Sequence, residues 1–155
     1  MTTTEPELPE TERPRHLGSL LRRAQQVHVA LWARSVSDRV SSVQFATLEL
    51  LVHLPGASQK DIGEGLGLDR STVTDVVRRM ERVGLIERTR DPADNRRNVV
   101  VLTALGRSEY DDLLPRVLDL QHELVNALTP EETAELRRLL GRVVATHEHL
   151  VIDRR

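Results

Sequence analysis

The strongest constraint on this chain is a change of hydrophobic period near residue 85. From Asp69 to Gly84 the apolar residues Val73, Val76, Val77, Met80 and Val83 recur at helical spacing and define one buried stripe. Leu85 to Arg90 and Asn98 to Leu102 then read as two short strands around the turn-rich segment DPADNRR. A helix that ends on a glycine and gives way at once to an arginine-rich hairpin must bury its stripe against an earlier helix. The hairpin is then held beside it.

The flanking segments supply those earlier and later helices. Residues 16–37 carry Leu17, Leu20, Leu21, Ala24, Val27 and Leu31 at helical spacing. Ser41 or Ser42 caps a second helix with Phe45, Leu48, Leu51 and Val52 on one face, and Pro55–Gly56 stops it. Ser58 and Asp61 form a capping-box pattern ahead of a short helix with Ile62 and Leu66, which Gly67 ends. Asp69 caps the helix described above, and Gly84 occupies its left-handed stop position. After the hairpin, residues 104–127 place Tyr110, Leu113, Val117, Leu120 and Leu124 in phase through Pro115, which predicts a kink rather than a stop. Thr129-Pro130-Glu131-Glu132 starts a last helix over 130–150, lined by Leu136, Leu139, Leu140, Val143 and Val144. The expected fold is mainly α with a small β-hairpin wing.

Composition narrows the function classes. The 155 residues contain no cysteine, which excludes disulfides, thiolate catalysis and cysteine-based zinc sites. The single Phe, Trp and Tyr leave the core to Leu, Val and Ala. No apolar run reaches membrane-spanning length. The acidic, proline-containing residues 1–14 read as a flexible tail without signal-peptide features, so a cytoplasmic protein is expected. Gly-rich phosphate loops, nucleophile motifs and paired catalytic carboxylates are absent, so no enzymatic activity and no cofactor are expected. The histidines at 16, 28, 53, 122, 147 and 149 are scattered or two apart, so no metal site is expected.

Net charge is −2, yet four acids fall within the first twelve residues, and setting those four aside leaves +2. Between Arg78 and Asn98 seven arginines stand against four acids. A local basic stripe of this kind is enough to grip phosphates. Burying Val73, Val77 and Met80 turns Arg70, Ser71, Thr72, Thr74, Asp75, Arg78 and Arg79 toward solvent. Gln59 and Lys60 open the preceding helix, where phosphate contacts are usual, and Arg88 and Arg90 lie on the first strand. At the hairpin tip Arg96 and Arg97 suit a narrow minor groove, with Asp94 bracing an arginine by a salt bridge. Together these elements follow the plan of a winged helix-turn-helix that binds double-stranded DNA, with its lobe over about 41–103.

These residues resemble the MarR family of bacterial regulators over roughly residues 16–150. The most specific stretch runs from Asp94 through Arg96 and Arg97 to Leu102-Thr103-Ala-Leu-Gly106, which is similar to the family's wing pattern. Leu68 to Thr74 and Val76 to Glu81 resemble its recognition helix, and Ser42 to Leu48 its second helix. The resemblance implies one domain over 15–155 and a homodimer built through the helices at 16–37, 104–127 and 130–150. Two lobes would then read half-sites of a pseudo-palindrome roughly 10 bp apart. It also implies a repressor released by a small-molecule effector, often an aromatic acid.

On the first helix Gln25, His28 and Trp32 fall within about 60° of one another, with Arg22 beside Gln25. Arg22 for a carboxylate, His28 for a phenolic hydroxyl and a Trp32 wall would suit a phenolic acid. Trp32 and His28 suit a dimer core equally well, with Arg22 solvated. The alternative to a ligand-released repressor is a DNA-binding regulator or architectural protein with no effector.

Overall fold

The computed structural model describes residues 16–94, 96 and 98–152. The helices are α1 (Leu17–Ser35), α2 (Ser42–His53), α3 (Gln59–Leu66), α4 (Arg70–Arg82), α5 (Ala104–Leu124), α6 (Pro130–His147) and α7 (His149–Ile152). The antiparallel hairpin β1 (Ile86–Arg90) and β2 (Asn98–Leu102) lies between α4 and α5, with Ile86 opposite Leu102 and Arg90 opposite Asn98.

Local chemistry sets most boundaries. Ser41 with Gln44, Ser58 with Asp61, and Thr129 with Glu132 each form a reciprocal capping box, satisfying two backbone N–H groups that a helix start leaves orphaned. Gly67 and Gly84 take positive φ of 62° and 76°, and there they end α3 and turn α4 into the wing. Pro115 stays inside α5, as the unbroken apolar phase requires.

The core centres on α2. Phe45, Leu48, Leu51, Ile62, Val73, Val77, Met80 and Ile86 are all buried. The three aromatic side chains meet in one column. Phe45 stacks on Tyr110 at 5.4 Å between ring centres, and Trp32 tilts against Phe45 at 5.8 Å. That column ties α1, α2 and α5 together, a contribution beyond simple burial for each ring pair. The wing is anchored by a third segment, since Val100 N–H donates to the Ala57 carbonyl at 2.8 Å.

Four expectations need correction. The first helix ends at Ser35, short of 37, because Ser37 accepts from the N–H groups of Arg39 and Val40 and starts a turn. The fifth ends at Leu124, and the last divides after His147 into α6 and α7. Val83 is 57% exposed rather than part of the buried stripe, because α4 ends at Arg82 and the chain turns there. Apart from these corrections, the apolar faces of α1 and α6 are open: Leu17, Leu20, Val27, Leu136, Leu139, Leu140 and Val143 are all exposed, and α6 buries no side chain.

Candidate nucleic-acid interface

The α3–turn–α4 unit sets the geometry of the site. α3 packs on α4 closely because Gly63 has no Cβ; one placed there would stand 3.0 Å from the Leu68 carbonyl oxygen and 3.4 Å from Val73 Cγ2. Inward burial of Val73, Val77 and Met80 leaves Arg70, Ser71, Asp75, Arg78 and Arg79 exposed along the outer side of α4. Gln59, Lys60, Arg70 and Asn98 line one open hollow of about 690 Å³, beside Ile152 of α7. The start of α3, the start of α4 and the tip end of the wing strand β2 therefore converge on one side.

The hydroxyls on α4 are already engaged. Asp69 caps the helix and accepts three hydrogen bonds, from Ser71 Oγ at 2.6 Å, Thr72 N at 2.9 Å and Thr72 Oγ1 at 3.0 Å. The Ser71 hydroxyl, then the Thr72 groups, lower the Asp69 carboxyl from 3.8 to about 2. Thr74 Oγ1 donates to the Arg70 carbonyl at 2.8 Å and lies 3.4 Å from Gln59 Oε1. With their donors engaged, Ser71, Thr72 and Thr74 keep acceptor lone pairs for a further partner. That suits an amine on a base edge better than a phosphate oxygen. The longer cations Lys60, Arg70 and Arg78 have the reach that a phosphate contact needs.

The cations differ in their freedom. Lys60 pairs with Glu64 at 3.6 Å and Arg78 with Asp75 at 3.7 Å, both on exposed helix surface where such pairs exchange readily with solvent. Asp75 thus stands where it orients Arg78. Arg88 is held more firmly, donating through Nε at 3.1 Å and Nη2 at 2.6 Å to the two oxygens of Glu81. The Arg88 hydrogen bonds keep the Glu81 carboxyl below its ordinary range, and Glu81 raises Arg88 in turn. This cross-link ties β1 to α4 and draws Arg88 away from the others. Arg90 lies on the exposed strand face.

At the wing tip Asp94 Oδ1 accepts from the backbone N–H of Arg96 at 3.0 Å, so it braces the turn through the main chain. Asn95 and Arg97 lie outside the described residues.

The residues expected to hold an acid are placed differently. Arg22 and Gln25 are exposed and His28 is partly buried. Trp32 is in the core, where Nε1 donates to the Val40 carbonyl at 2.7 Å and the His28 ring lies 6.1 Å away. Sequence reasoning missed that bond, since nothing local signals a partner eight residues on. Among the described residues no helix is long and apolar enough to cross a membrane.

A capped polar helix, a preceding helix packed at a glycine contact and an adjacent hairpin define a winged helix-turn-helix DNA-binding protein. Comparison with known proteins agrees and goes further. Residues 40–98 match the model of the MarR family. The crystal structure of the PcaV transcriptional regulator from Streptomyces coelicolor with its natural ligand is 37% identical, with a TM-score of 0.79 over 91% of this chain and 98% of that one. The Bordetella bronchiseptica BpsR structure, described as a mechanism for regulation of DNA binding by 6-hydroxynicotinic acid, is 30% identical, with a TM-score of 0.74 over 82% of this chain and 97% of that one. The HTH-type transcriptional repressor NicR of Pseudomonas putida is 28% identical over 86% of this chain and 85% of its own length. The chain belongs to the MarR family. It is a DNA-binding transcriptional regulator and not an enzyme.

Proposed function

We propose that the protein is a homodimeric repressor, released from a pseudo-palindromic operator by a small aromatic carboxylate. The observation that carries the dimer is the open apolar surface of α6, α1 and the end of α5. An 18-residue helix with Leu136, Leu139, Leu140, Val143 and Val144 all exposed is not stable against water alone. Covering that surface with its equivalent on a second chain buries it in a two-fold arrangement and places two α4 helices on one side. The dimerising segments are then 16–37, 104–127 and 130–150, the DNA-reading lobe is 41–103, and the protein acts in the cytoplasm.

The DNA contacts divide by chemistry. Gln59, Lys60, Arg70, Arg78 and Arg79 hold the backbone; Ser71, Thr72, Thr74 and Asp75 meet base edges; Arg90, Arg96 and Arg97 serve the wing. Glu81 keeps Arg88 in a positioning role.

The repressor reading is supported by the named activity of NicR, and the effector class by the 6-hydroxynicotinic acid of BpsR. In this chain Arg22, Gln25 and His28 sit on α1 among the same exposed apolar residues, so a pocket there is completed by the second subunit. The test is operator release by phenolic acids, followed by fluorescence anisotropy. Arg22→Ala and His28→Ala should bind operator normally and fail to release it. Release of both variants at the wild-type acid concentration contradicts this pocket. A protein that no phenolic acid stabilises against heat is a regulator without such an effector, since ligand at about 100 times its Kd contributes about 2.7 kcal/mol.

A further inference from the structure

The last stretch of the chain meets the DNA-reading lobe near its end. From Pro130 to Ile152 every residue is exposed except Thr133, Glu148 and Ile152. Glu148 and Ile152 are four residues apart and share one helical face. The Glu148 carbonyl accepts from Val151 N at 3.0 Å and Ile152 N at 3.2 Å, which closes that turn. Glu148 Oε1 lies 3.2 Å from the place a Cβ on Gly67 would take, so it rests against the glycine that ends α3. Ile152 walls the hollow of about 690 Å³ that Gln59, Lys60, Arg70 and Asn98 also line. Its apolar companions there are Leu68, from the α3–α4 turn, and Val73, from α4. Leu150 and Val151 of the same turn are 59% and 45% exposed.

Two kinds of surface therefore meet in one hollow. Gln59, Lys60 and Arg70 are proposed to hold the DNA backbone. Ile152 offers a phosphate nothing: an anion brought alongside it loses water and gains no hydrogen bond, which is costly. Glu148 adds a negative charge at the α3–α4 turn, which opposes a second anion. α7 is also easy to move. Four residues form no stable helix by themselves, and this one is held to the lobe only by the face that carries Glu148 and Ile152. Segments with so little burial open without unfolding the rest of a domain.

We propose that α7 is an autoinhibitory strap: docked through Glu148 and Ile152, it walls the DNA-reading hollow, and DNA engages that hollow once the strap has left. The inference rests on the DNA contacts proposed for Gln59, Lys60 and Arg70. Apparent affinity is then reduced by the fraction of subunits whose strap is open, so a strap closed in about nine subunits of ten weakens binding about tenfold. Any event that frees α7 strengthens DNA binding with the contacts themselves unchanged.

Fluorescence anisotropy with a labelled duplex of the DNA upstream of the protein's own gene tests this on the full chain. Ile152→Ser should bind about three- to tenfold more tightly than wild type. The sign decides: losing a contact that only supports the fold lowers affinity, whereas losing a competitor raises it. An unchanged thermal melt verifies that Ile152→Ser is folded. Hydrogen exchange read by mass spectrometry gives a second measure. Peptides covering 148–152 should exchange faster in the DNA complex than in the free protein, because the N–H groups of Val151 and Ile152 lose the Glu148 carbonyl. Affinity of Ile152→Ser equal to or below wild type overturns the proposal, as does exchange at 148–152 that DNA slows or leaves unchanged. Arg70→Ala separates this inference from the reading beneath it. If Arg70→Ala weakens binding and Ile152→Ser does not strengthen it, the DNA face stands and the strap falls. If Arg70→Ala binds as wild type does, the hollow is no DNA contact and both fall.

Discussion

Gly106, in the first turn of α5, lies so close to Leu85 that a Cβ on it would overlap the Leu85 carbonyl oxygen. That carbonyl accepts from Thr103 N at 3.1 Å, while the Thr103 hydroxyl donates to the Gly84 carbonyl and accepts from Gly106 N at 3.0 Å. One four-residue stretch, Thr103 to Gly106, therefore locks the end of α4, the base of the wing and the start of α5. Gly106→Ala should destabilise the fold by about 1–3 kcal/mol through overpacking against backbone. Thr103→Ala should cost about 1 kcal/mol through the lost cap. Urea denaturation measures both, and a neutral Gly106→Ala would contradict the close approach.

Asp69 makes the recognition helix sensitive to acid. Its carboxyl is lowered to about 2 in the folded protein, against 3.8 ordinarily. A lowered folded-state value stabilises fully above pH 3.8, and that contribution is lost as pH falls toward 2. Asp69→Ala should therefore lower the Tm at pH 7, and the gap to wild type should close between about pH 4 and pH 2. Asp69→Asn, still able to cap, should lie between them. Thermal melts followed by circular dichroism across that range decide it; a gap that stays constant would show that the carboxylate charge is irrelevant.

The arginines should separate by role. Arg70, exposed at the start of α4, is expected to meet a phosphate. Arg70→Ala should weaken DNA binding across all sequences and reduce the salt slope by about 1. Arg88, committed to Glu81, should behave otherwise: Arg88→Ala should lower stability and leave the salt slope unchanged. An Arg88→Ala protein with a reduced slope would return that residue to the phosphate contacts.

The open face of α6 predicts its own phenotype. Leu140→Glu should give monomers in analytical ultracentrifugation. Operator affinity should fall on the order of 100-fold or more, because two linked half-site contacts become one. A Leu140→Glu protein that remains dimeric would place the subunit contact elsewhere.

The elements legible in the sequence are those fixed by neighbours a few residues apart. The boxes at Ser58–Asp61 and Thr129–Glu132, the Asp69 cap and the glycine stops at 67 and 84 all work within one turn of chain. The features that escaped join distant segments. The column of Trp32, Phe45 and Tyr110 forms only when three helices meet, and so does the Trp32 bond to Val40 that sets the tryptophan in the core. Glu81 and Arg88 face each other only after the chain reverses at Gly84, so their ion pair has no local signal. Val83 misleads for the opposite reason: its period is helical, but the helix has ended.

The central claim is that α4 and the wing of each subunit present a single DNA-reading side, twice, about a two-fold axis. Hydroxyl-radical footprinting on the DNA upstream of the protein's own gene tests it most directly. The account predicts two protected patches on one side of the duplex, centred about one helical turn apart, with protection of the flanking minor grooves by the wings. A single patch, or protection spread evenly around the duplex, would contradict it.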